Sequence, residues 1–372
     1  MGKKKILFAT PTNTSGGAER VMTSLINYID EYGYDVVYVN FDKNSSFYKI
    51  NPRVKVVKLN IGFGNISKLK KLVFSPIVEV KRFIRVRKLL KEEKPDAVVA
   101  FLKTSEIIFG INALNLKIPF VTSIRNDLSA YKGVLNIFRK FAFPKASLVI
   151  CQTKAVERSL REKISCNTVV LPNPISPDAV SEYNFFGRER KKKILAVGRL
   201  CEQKNFVLLI EALSLTYKAY PEVRNYSIEI YGEGPDREIL QELIEARHLN
   251  NVTLCGVVPN ALAVNNDAAL YIMSSNYEGF PNTLIEAMAN GIPSISTDFS
   301  TGAARELIGN NNENGILVPV GDVTALSNSI VYMLNHAEEA EYKAQRALEK
   351  AGEYEKNTVC KRWLYEIEHV IC

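Results

Sequence analysis

The chain has 372 residues, 47% of them apolar and 24% charged, with a formal net charge of +8. Ordinary apolar content, scattered aromatics and ordinary Gly and Pro exclude disordered, collagenous and low-complexity classes, and the length predicts two domains. No apolar run approaches the ~18 residues of a membrane-spanning helix. The short run 6–9 is too brief for the core of a signal peptide, and the six cysteines (151, 166, 201, 255, 360, 372) lack metal-ligand or disulfide-framework spacing, so a cytoplasmic protein with reduced thiols is expected.

Strand and helix patterns alternate along the chain. Strands are predicted over residues 4–9, 35–41, 54–59, 96–101, 119–124, 147–151 and 168–171, with helical spacing between most of them. Near-continuous runs such as 97–101 suit parallel strands buried on both faces. Residues 171–193 hold three prolines and end in the basic run 188–193, so they read as a linker. A second series follows, with strands at 193–197, 226–231, 252–254, 270–273, 293–296 and 315–318 and helices starting near Lys204, Pro235, Asn282, Thr301 and Asp322; beyond Asn335 the pattern is helical throughout. The fold class is α/β, two doubly wound Rossmann-like domains facing one another, expected over 1–183 and 184–355.

The most specific segment runs from Ser274 to Pro293. It follows a strand, turns through Gly279, Phe280 and Pro281, starts a helix at Asn282 and ends it at Gly291. Glu278 falls in the loop at a strand's carboxyl end, where open α/β sheets bind ligands. Glu286 falls one turn into the helix, placed to accept from a ribose diol. The amides of Asn282, Thr283 and Leu284, with the helix dipole, form an anion cradle. The bland alternative is a strand-turn-helix unit with a solvated glutamate at each end.

This segment resembles the Glu-x7-Glu signature of the retaining GT-B glycosyltransferases of family 4, and the resemblance spans nearly the whole chain. Gly198-Arg199-Leu200-Cys201-Glu202-Gln203-Lys204-Asn205 is similar to the family's Gly-Arg-Leu-x-x-x-Lys-Asn segment, Gly232-Glu233-Gly234-Pro235 to its Gly-x-Gly-Pro turn, Thr297 to Gly302 to the loop that follows, and Gly16-Gly17-Ala18-Glu19-Arg20 to its glycine-rich first loop. The resemblance implies a UDP-sugar donor in the C-terminal domain and an acceptor on the N-terminal one, with a final helix, 356–372, returning to the latter. It further implies retention at the anomeric carbon, metal-independent transfer and no cofactor beyond the donor. Glu278 then meets the donor sugar, Glu286 the ribose, and Arg199 and Lys204 the diphosphate, with Gly198, Gly279 and Phe280 lining the same pocket. Physically, cleaving a sugar from a nucleotide diphosphate builds charge on the leaving phosphate, which fixed cations stabilise; Arg199 offers a planar fork and Lys204 a point charge. Either cation alone reads as a surface salt bridge. Gly16 and Gly17 let backbone approach a ligand, or make a simple tight turn.

Many family members carry a histidine after the fourth N-domain strand, where this chain has Ala100-Phe101-Leu102-Lys103-Thr104-Ser105. His248, His336 and His369 all lie in the C-terminal half and read as solvated helix residues. Ser123-Ile124-Arg125-Asn126-Asp127 resembles a subgroup acting on N-acetylhexosamine donors and saccharide or lipid-linked acceptors in bacterial surface polysaccharide or glycan synthesis. Arg125 is expected to meet phosphate or sugar, and Asp127 to orient the acceptor hydroxyl or to cap a helix. A dehydrogenase is disfavoured because Gly232-Glu233-Gly234 breaks off at Arg237 before completing Gly-x-Gly-x-x-Gly. Two rivals remain: a nucleotide-sugar epimerase, which needs cleft acid and base residues that the sequence does not offer, and a non-catalytic membrane-binding or partner protein, which has no need for the complete diphosphate set.

Charge is uneven: residues 1–186 carry 30 Lys and Arg against 15 Asp and Glu, residues 187–372 carry 18 against 25. Within 67–94, ten basic residues interleave with aliphatic and aromatic ones against three acids. Either this stretch is an interfacial helix on anionic lipid or an amphipathic helix with a solvated basic face. Contact of the N-terminal half with the inner membrane surface is expected, as a peripheral protein or, in the non-catalytic rival, a membrane-bound partner. Nucleic acid is not, because no binding module accompanies the charge.

Overall fold

Runs of buried aliphatic residues become parallel strands in both halves of the chain. β1 (Lys5–Ala9), β2 (Asp35–Asn40), β3 (Lys55–Lys58), β4 (Ala97–Phe101), β5 (Phe120–Ser123), β6 (Leu148–Cys151) and β7 (Thr168–Val170) form one seven-stranded sheet, ordered β3-β2-β1-β4-β5-β6-β7. β8 (Lys191–Val197), β9 (Ser227–Tyr231), β10 (Val252–Gly256), β11 (Ala268–Met273), β12 (Ser294–Thr297) and β13 (Ile316–Val318) form a six-stranded sheet, ordered β10-β9-β8-β11-β12-β13. The structure, a computed structural model, describes residues 3–12, 16–42, 47–61, 68–125, 134–182 and 185–371, with side chains omitted at 68–76 and 134–136. The chain divides into Met1–Pro174 with Lys356–Cys372 as one unit and Ile175–Glu355 as the other.

Helices cover both faces of each sheet, as parallel strands joined by crossovers require. In the first unit these are α1 (Gly17–Glu31), α2 (Lys68–Glu93), α3 (Lys103–Asn115), α4 (Val134–Ala142) and α5 (Lys154–Arg161). The second has α6 (Phe206–Ala219), α7 (Arg237–Ala246), α8 (Ala261–Val264), α9 (Asn282–Ala289), α10 (Ala303–Ile308), α11 (Val323–Asn335) and α12 (Ala337–Ala351). Sequence and structure agree on each strand to within two residues at either end.

The last helix, α13 (Lys356–Ile371), belongs to the first unit. Its buried stripe, Val359, Cys360, Trp363, Leu364 and Ile367, has the spacing of one helical face and joins the core layer of Ile6, Phe8, Leu25 and Val99. The Trp363 ring centroid stands 5.5 Å from that of Phe101. Burial pushes the thiols of Cys360 and Cys151 up to about 12, so both behave as small apolar core residues.

Residues 171–193 are not a free linker. The division falls between Pro174 and Ile175, and the segment that follows is fastened to the second unit. Ile175 N donates to Tyr354 O at 2.9 Å, Ser181 N to Asn290 Oδ1 at 2.8 Å, and Asn290 Nδ2 to Ala179 O at 2.7 Å. Arg190, within the charge run 188–193, donates to Glu341 Oε2 and to the Gly291 carbonyl, each at 2.7 Å. Lys191 to Lys193 open β8. Three prolines had erased the periodicity that would have revealed this packing.

Trp363 is the chain's single tryptophan, so its fluorescence reports the first unit. Ile367 is fully buried against the same core layer. Ile367→Ala is expected to destabilise that unit by about 2–5 kcal/mol, read as a lower urea midpoint in the Trp363 signal; an unmoved midpoint would contradict the placement of α13.

Candidate functional site

In the six-stranded sheet the strand order reverses between β8 and β11, with β9 and β10 on one side and β12 and β13 on the other. Loops leaving the carboxyl ends of two such strands turn to opposite sides and leave a crevice between them. Here those loops are residues 198–205 and 274–281, which hold the candidates Gly198, Arg199, Lys204, Glu278, Gly279 and Phe280.

The loops are bound to each other by polar contacts. Ser274 Oγ donates to Lys204 O at 2.9 Å, Asn276 N to Gln203 O at 2.8 Å, Asn276 Nδ2 to Glu202 O at 2.9 Å, and Asn205 Nδ2 to Asn276 Oδ1 at 2.8 Å. At the centre, Lys204 Nζ lies 2.6 Å from Glu278 Oε1, which also accepts from Ser275 Oγ at 2.9 Å. Glu278 Oε2 accepts from Gln203 Nε2 at 3.1 Å. The two charged side chains are 17% and 9% exposed, so the pair is largely removed from water. Arg199, by contrast, is exposed, and its guanidinium has no partner among the described residues.

Glycines set the approach of these loops. A Cβ on Gly198 would lie 3.0 Å from Lys204 Cδ, so the lysine stem crosses directly over it. Gly232 and Gly234, after β9, press against the same loop: a Cβ on Gly232 would be 1.8 Å from Gly198 O, and one on Gly234 2.1 Å from Leu200 O. The Gly-x-Gly-Pro turn therefore serves loop-to-loop packing, fixed by Gly198 N to Tyr231 O at 2.9 Å and Leu200 N to Glu233 O at 3.0 Å.

At the start of α9 the candidate residues differ in their surroundings. Leu284 N donates to Pro281 O at 3.1 Å and the Leu284 side chain is fully buried, so Leu284 belongs to the helix and the core, not to an anion cradle. Phe280 is likewise buried, its ring 5.7 Å from that of Tyr354, and it anchors the turn from beneath. Gly279 is buried in the turn, while Asn282 and Thr283 are partly exposed at the helix start. Tyr271 on β11 escaped sequence reading because an apolar run surrounds it. Fully buried, it donates to Thr283 Oγ1 at 2.8 Å. Burial, joined by the charges of Glu278 and Glu286, holds its phenol well above the usual range, so it remains a neutral donor supporting the α9 start. Glu286 is itself 7% exposed.

The candidates in the first unit have different surroundings. Gly16 caps α1 and Gly17 begins it. The Glu19 carboxylate folds back over Gly16, where a Cβ would be 2.2 Å from Glu19 Oε2, and it accepts from Thr12 Oγ1 at 2.7 Å. The glycine thus accommodates the chain's own carboxylate at the first turn, a position that favours negative charge. Arg125, expected to meet phosphate or sugar, is 7% exposed and lies over the Phe101 ring at 3.9 Å and the Trp363 ring at 5.4 Å. It donates to Asn173 Oδ1, which also accepts from Gln152 Nε2 at 2.7 Å. A cation between two aromatic rings and an amide is a core element of the first unit, a role that the motif around it conceals. Asp127 lies outside the described residues. Among the described residues no three His, Cys, Asp or Glu side chains converge to hold a metal ion. All three histidines are exposed; His248 follows α7, His336 separates α11 from α12, and only His369 is inside a helix.

Comparison with known proteins gives a consistent likeness. Residues 184–352 match the model of the family described as glycosyl transferases group 1, and residues 15–179 that of glycosyltransferase family 4. The GalNAc-alpha-(1->4)-GalNAc-alpha-(1->3)-diNAcBac-PP-undecaprenol alpha-1,4-N-acetyl-D-galactosaminyltransferase of Campylobacter jejuni is 28% identical over 98% of this chain and 99% of its own. Among solved structures, sucrose-phosphate synthase from Thermosynechococcus elongatus superimposes with a TM-score of 0.81 at 18% identity, covering 99% of both chains. The pneumococcal O-GlcNAc transferase GtfA, in complex with UDP and GlcNAc, does so with 0.78 at 13% identity, covering 100% of both. These two likenesses are of fold: both are chains of the same two-unit architecture.

The Lys204 and Glu278 pair makes a measurable claim. Lys204→Met strands a buried carboxylate and is expected to destabilise the second unit by on the order of 1–3 kcal/mol, whereas the double variant Lys204→Met/Glu278→Gln recovers part of that loss. Urea unfolding of the four proteins gives the coupling; a value near zero would mean the two charges do not interact.

Proposed function

The chain belongs to the GT-B glycosyltransferases of family 4, and on that footing we propose that it moves a sugar from a UDP-sugar to a hydroxyl of a saccharide or lipid-linked saccharide. The observation that carries this reading is the constellation at the strand-order reversal of the second unit, where the exposed Arg199, the Lys204 and Glu278 pair and the start of α9 occupy two interlaced loops. Arg199 and Lys204 are assigned to the donor diphosphate, Glu286 to the ribose and Glu278 to the transferred sugar. An arriving diphosphate shares Lys204 with Glu278, so the donor's charge is met by a cation already held in place by the protein. Such preorganisation stabilises charge that develops on the leaving group.

Transfer is assigned to the retaining course. The bond from the anomeric carbon to the diphosphate oxygen breaks, the acceptor oxygen bonds to the same face of that carbon, and the acceptor proton passes to the departing diphosphate. No protein nucleophile takes part. The acceptor is assigned to the first unit, with Asp127 orienting its hydroxyl. The donor sugar is read as an N-acetylhexosamine or hexose, and the product as part of a bacterial surface polysaccharide or glycan. Supporting this, the Campylobacter relative is named for transfer of N-acetylgalactosamine to an undecaprenol-linked saccharide.

Arg199→Ala and Lys204→Ala are each expected to lower turnover by roughly tenfold or more, corresponding to about 1.4 kcal/mol of transition-state stabilisation, and to weaken UDP more than uridine in calorimetry. Glu286→Gln is expected to weaken both ligands. Turnover should persist in a chelator. Equal losses for UDP and uridine in the Arg199 and Lys204 variants would remove the diphosphate assignment, and loss of turnover in the chelator would remove metal independence.

A further inference from the structure

Glu278 and Lys204 are paired, yet the protein satisfies the two charges unequally. A carboxylate shielded from water needs several donors, and Glu278 has three among the described residues. Lys204 Nζ and Ser275 Oγ donate to Oε1 at 2.6 and 2.9 Å, and Gln203 Nε2 donates to Oε2 at 3.1 Å. The Lys204 ammonium carries three hydrogens, and among the described residues Glu278 Oε1 is the one acceptor it meets. Its stem is pinned over Gly198 and its side chain is 17% exposed, so two of its hydrogens are left for another acceptor.

The two neutral donors are anchored without help from the lysine. Gln203 is fastened to the opposite loop at both its backbone and its side chain: its carbonyl accepts from Asn276 N at 2.8 Å, and its amide donates to Tyr277 O at 3.0 Å as well as to Glu278. Both hydrogens of that amide are therefore in use. Ser275 is 1% exposed, and its carbonyl accepts from Thr297 Oγ1, at the end of β12, at 2.6 Å. The carboxylate thus keeps a donor on each oxygen when the lysine turns away.

We infer that Gln203 and Ser275 are positioning residues that hold Glu278 in place while Lys204 is released to the donor diphosphate. A diphosphate beside Glu278 competes with it for one ammonium, and a buried carboxylate that loses its charged donor with nothing to replace it pulls the lysine back. An amide and a hydroxyl lower that cost without placing a second cation beside the phosphates. The residue before the lysine therefore matters: a glutamate at 203 turns a donor into another anion, and a leucine leaves Oε2 unmet. The inference rests on the donor reading above and extends it to two residues that act through Glu278.

The test is calorimetric titration of the full chain with UDP and with uridine. Gln203→Met, which keeps the length of the side chain and removes its donor, and Ser275→Ala are each expected to weaken UDP by roughly fivefold or more while leaving uridine within about twofold. In a Glu278→Gln background, where no carboxylate competes for Lys204, the same two substitutions are expected to change UDP affinity by less than about twofold. A packing role alone weakens UDP in both backgrounds. Without nucleotide, urea unfolding gives a second reading: the coupling between Lys204 and Glu278, as a ratio of unfolding constants, is expected to grow about threefold or more in Gln203→Met. Far-UV circular dichroism checks that each variant folds. Equal UDP losses in the two backgrounds, UDP affinity unchanged by both substitutions, or an unchanged coupling overturns the inference alone. A parent that binds UDP no more tightly than uridine overturns the donor reading and the inference with it.

Discussion

One ion pair organises the second unit's crevice. Lys204 and Glu278 come from loops that leave different strands of the sheet, and their contact at 2.6 Å holds both loops in register with the start of α9. Removing either partner leaves a charge in a place largely shielded from water, so each residue constrains the other. The surrounding amides fasten the loops together: Gln203 and Asn276 donate to carbonyls of the opposite loop, and Asn205 donates to the Asn276 side chain. Gly198, Gly232 and Gly234 are necessary for a simpler reason, because a single added carbon at any of them meets a neighbour at 3.0 Å or less. The geometry of this crevice thus depends on atoms well outside its charged pair.

The first unit is built on the same plan, and its strand order likewise reverses, between β1 and β4. Yet two of its charged residues at that end are turned inward. Glu19 closes over the first turn of α1, and Arg125 lies on the rings of Phe101 and Trp363. Two parallel sheets of one topology thus place charge differently: in two interlaced polar loops in the second unit, and in the first on a carboxylate and a guanidinium that are both buried.

Much of this was legible in the sequence because it depends on local pattern. Buried parallel strands are continuous apolar runs, and a glycine, a proline and an asparagine between a strand and a helix mark a turn whatever surrounds them. The exchange of contacts between loops was hidden, since Gln203, Ser275 and Asn276 are common polar residues whose roles arise only when distant segments meet. The surroundings of Arg125 and Phe280 were not legible: nothing in one dimension places the arginine on the rings of Phe101 and Trp363, or the phenylalanine ring beside Tyr354. Tyr271 and Arg190 remained unread because burial within an apolar or charged run gives no signal in one dimension. The stretch 171–193 does contain the division of the chain, but the packing of its later part was unread, because prolines interrupt periodicity whether or not the chain around them is packed.

The return of α13 has a consequence for biosynthesis. The first unit is discontinuous, with the whole of Ile175–Glu355 translated between its two parts. Until Lys356 and its successors leave the ribosome, the layer that includes Ile6, Phe8, Val99 and Phe101 lacks Val359, Trp363, Leu364 and Ile367. The nascent chain therefore carries an uncovered apolar face through the synthesis of an entire second unit, the kind of transient exposure that favours aggregation. The first unit to be started is the last to be finished.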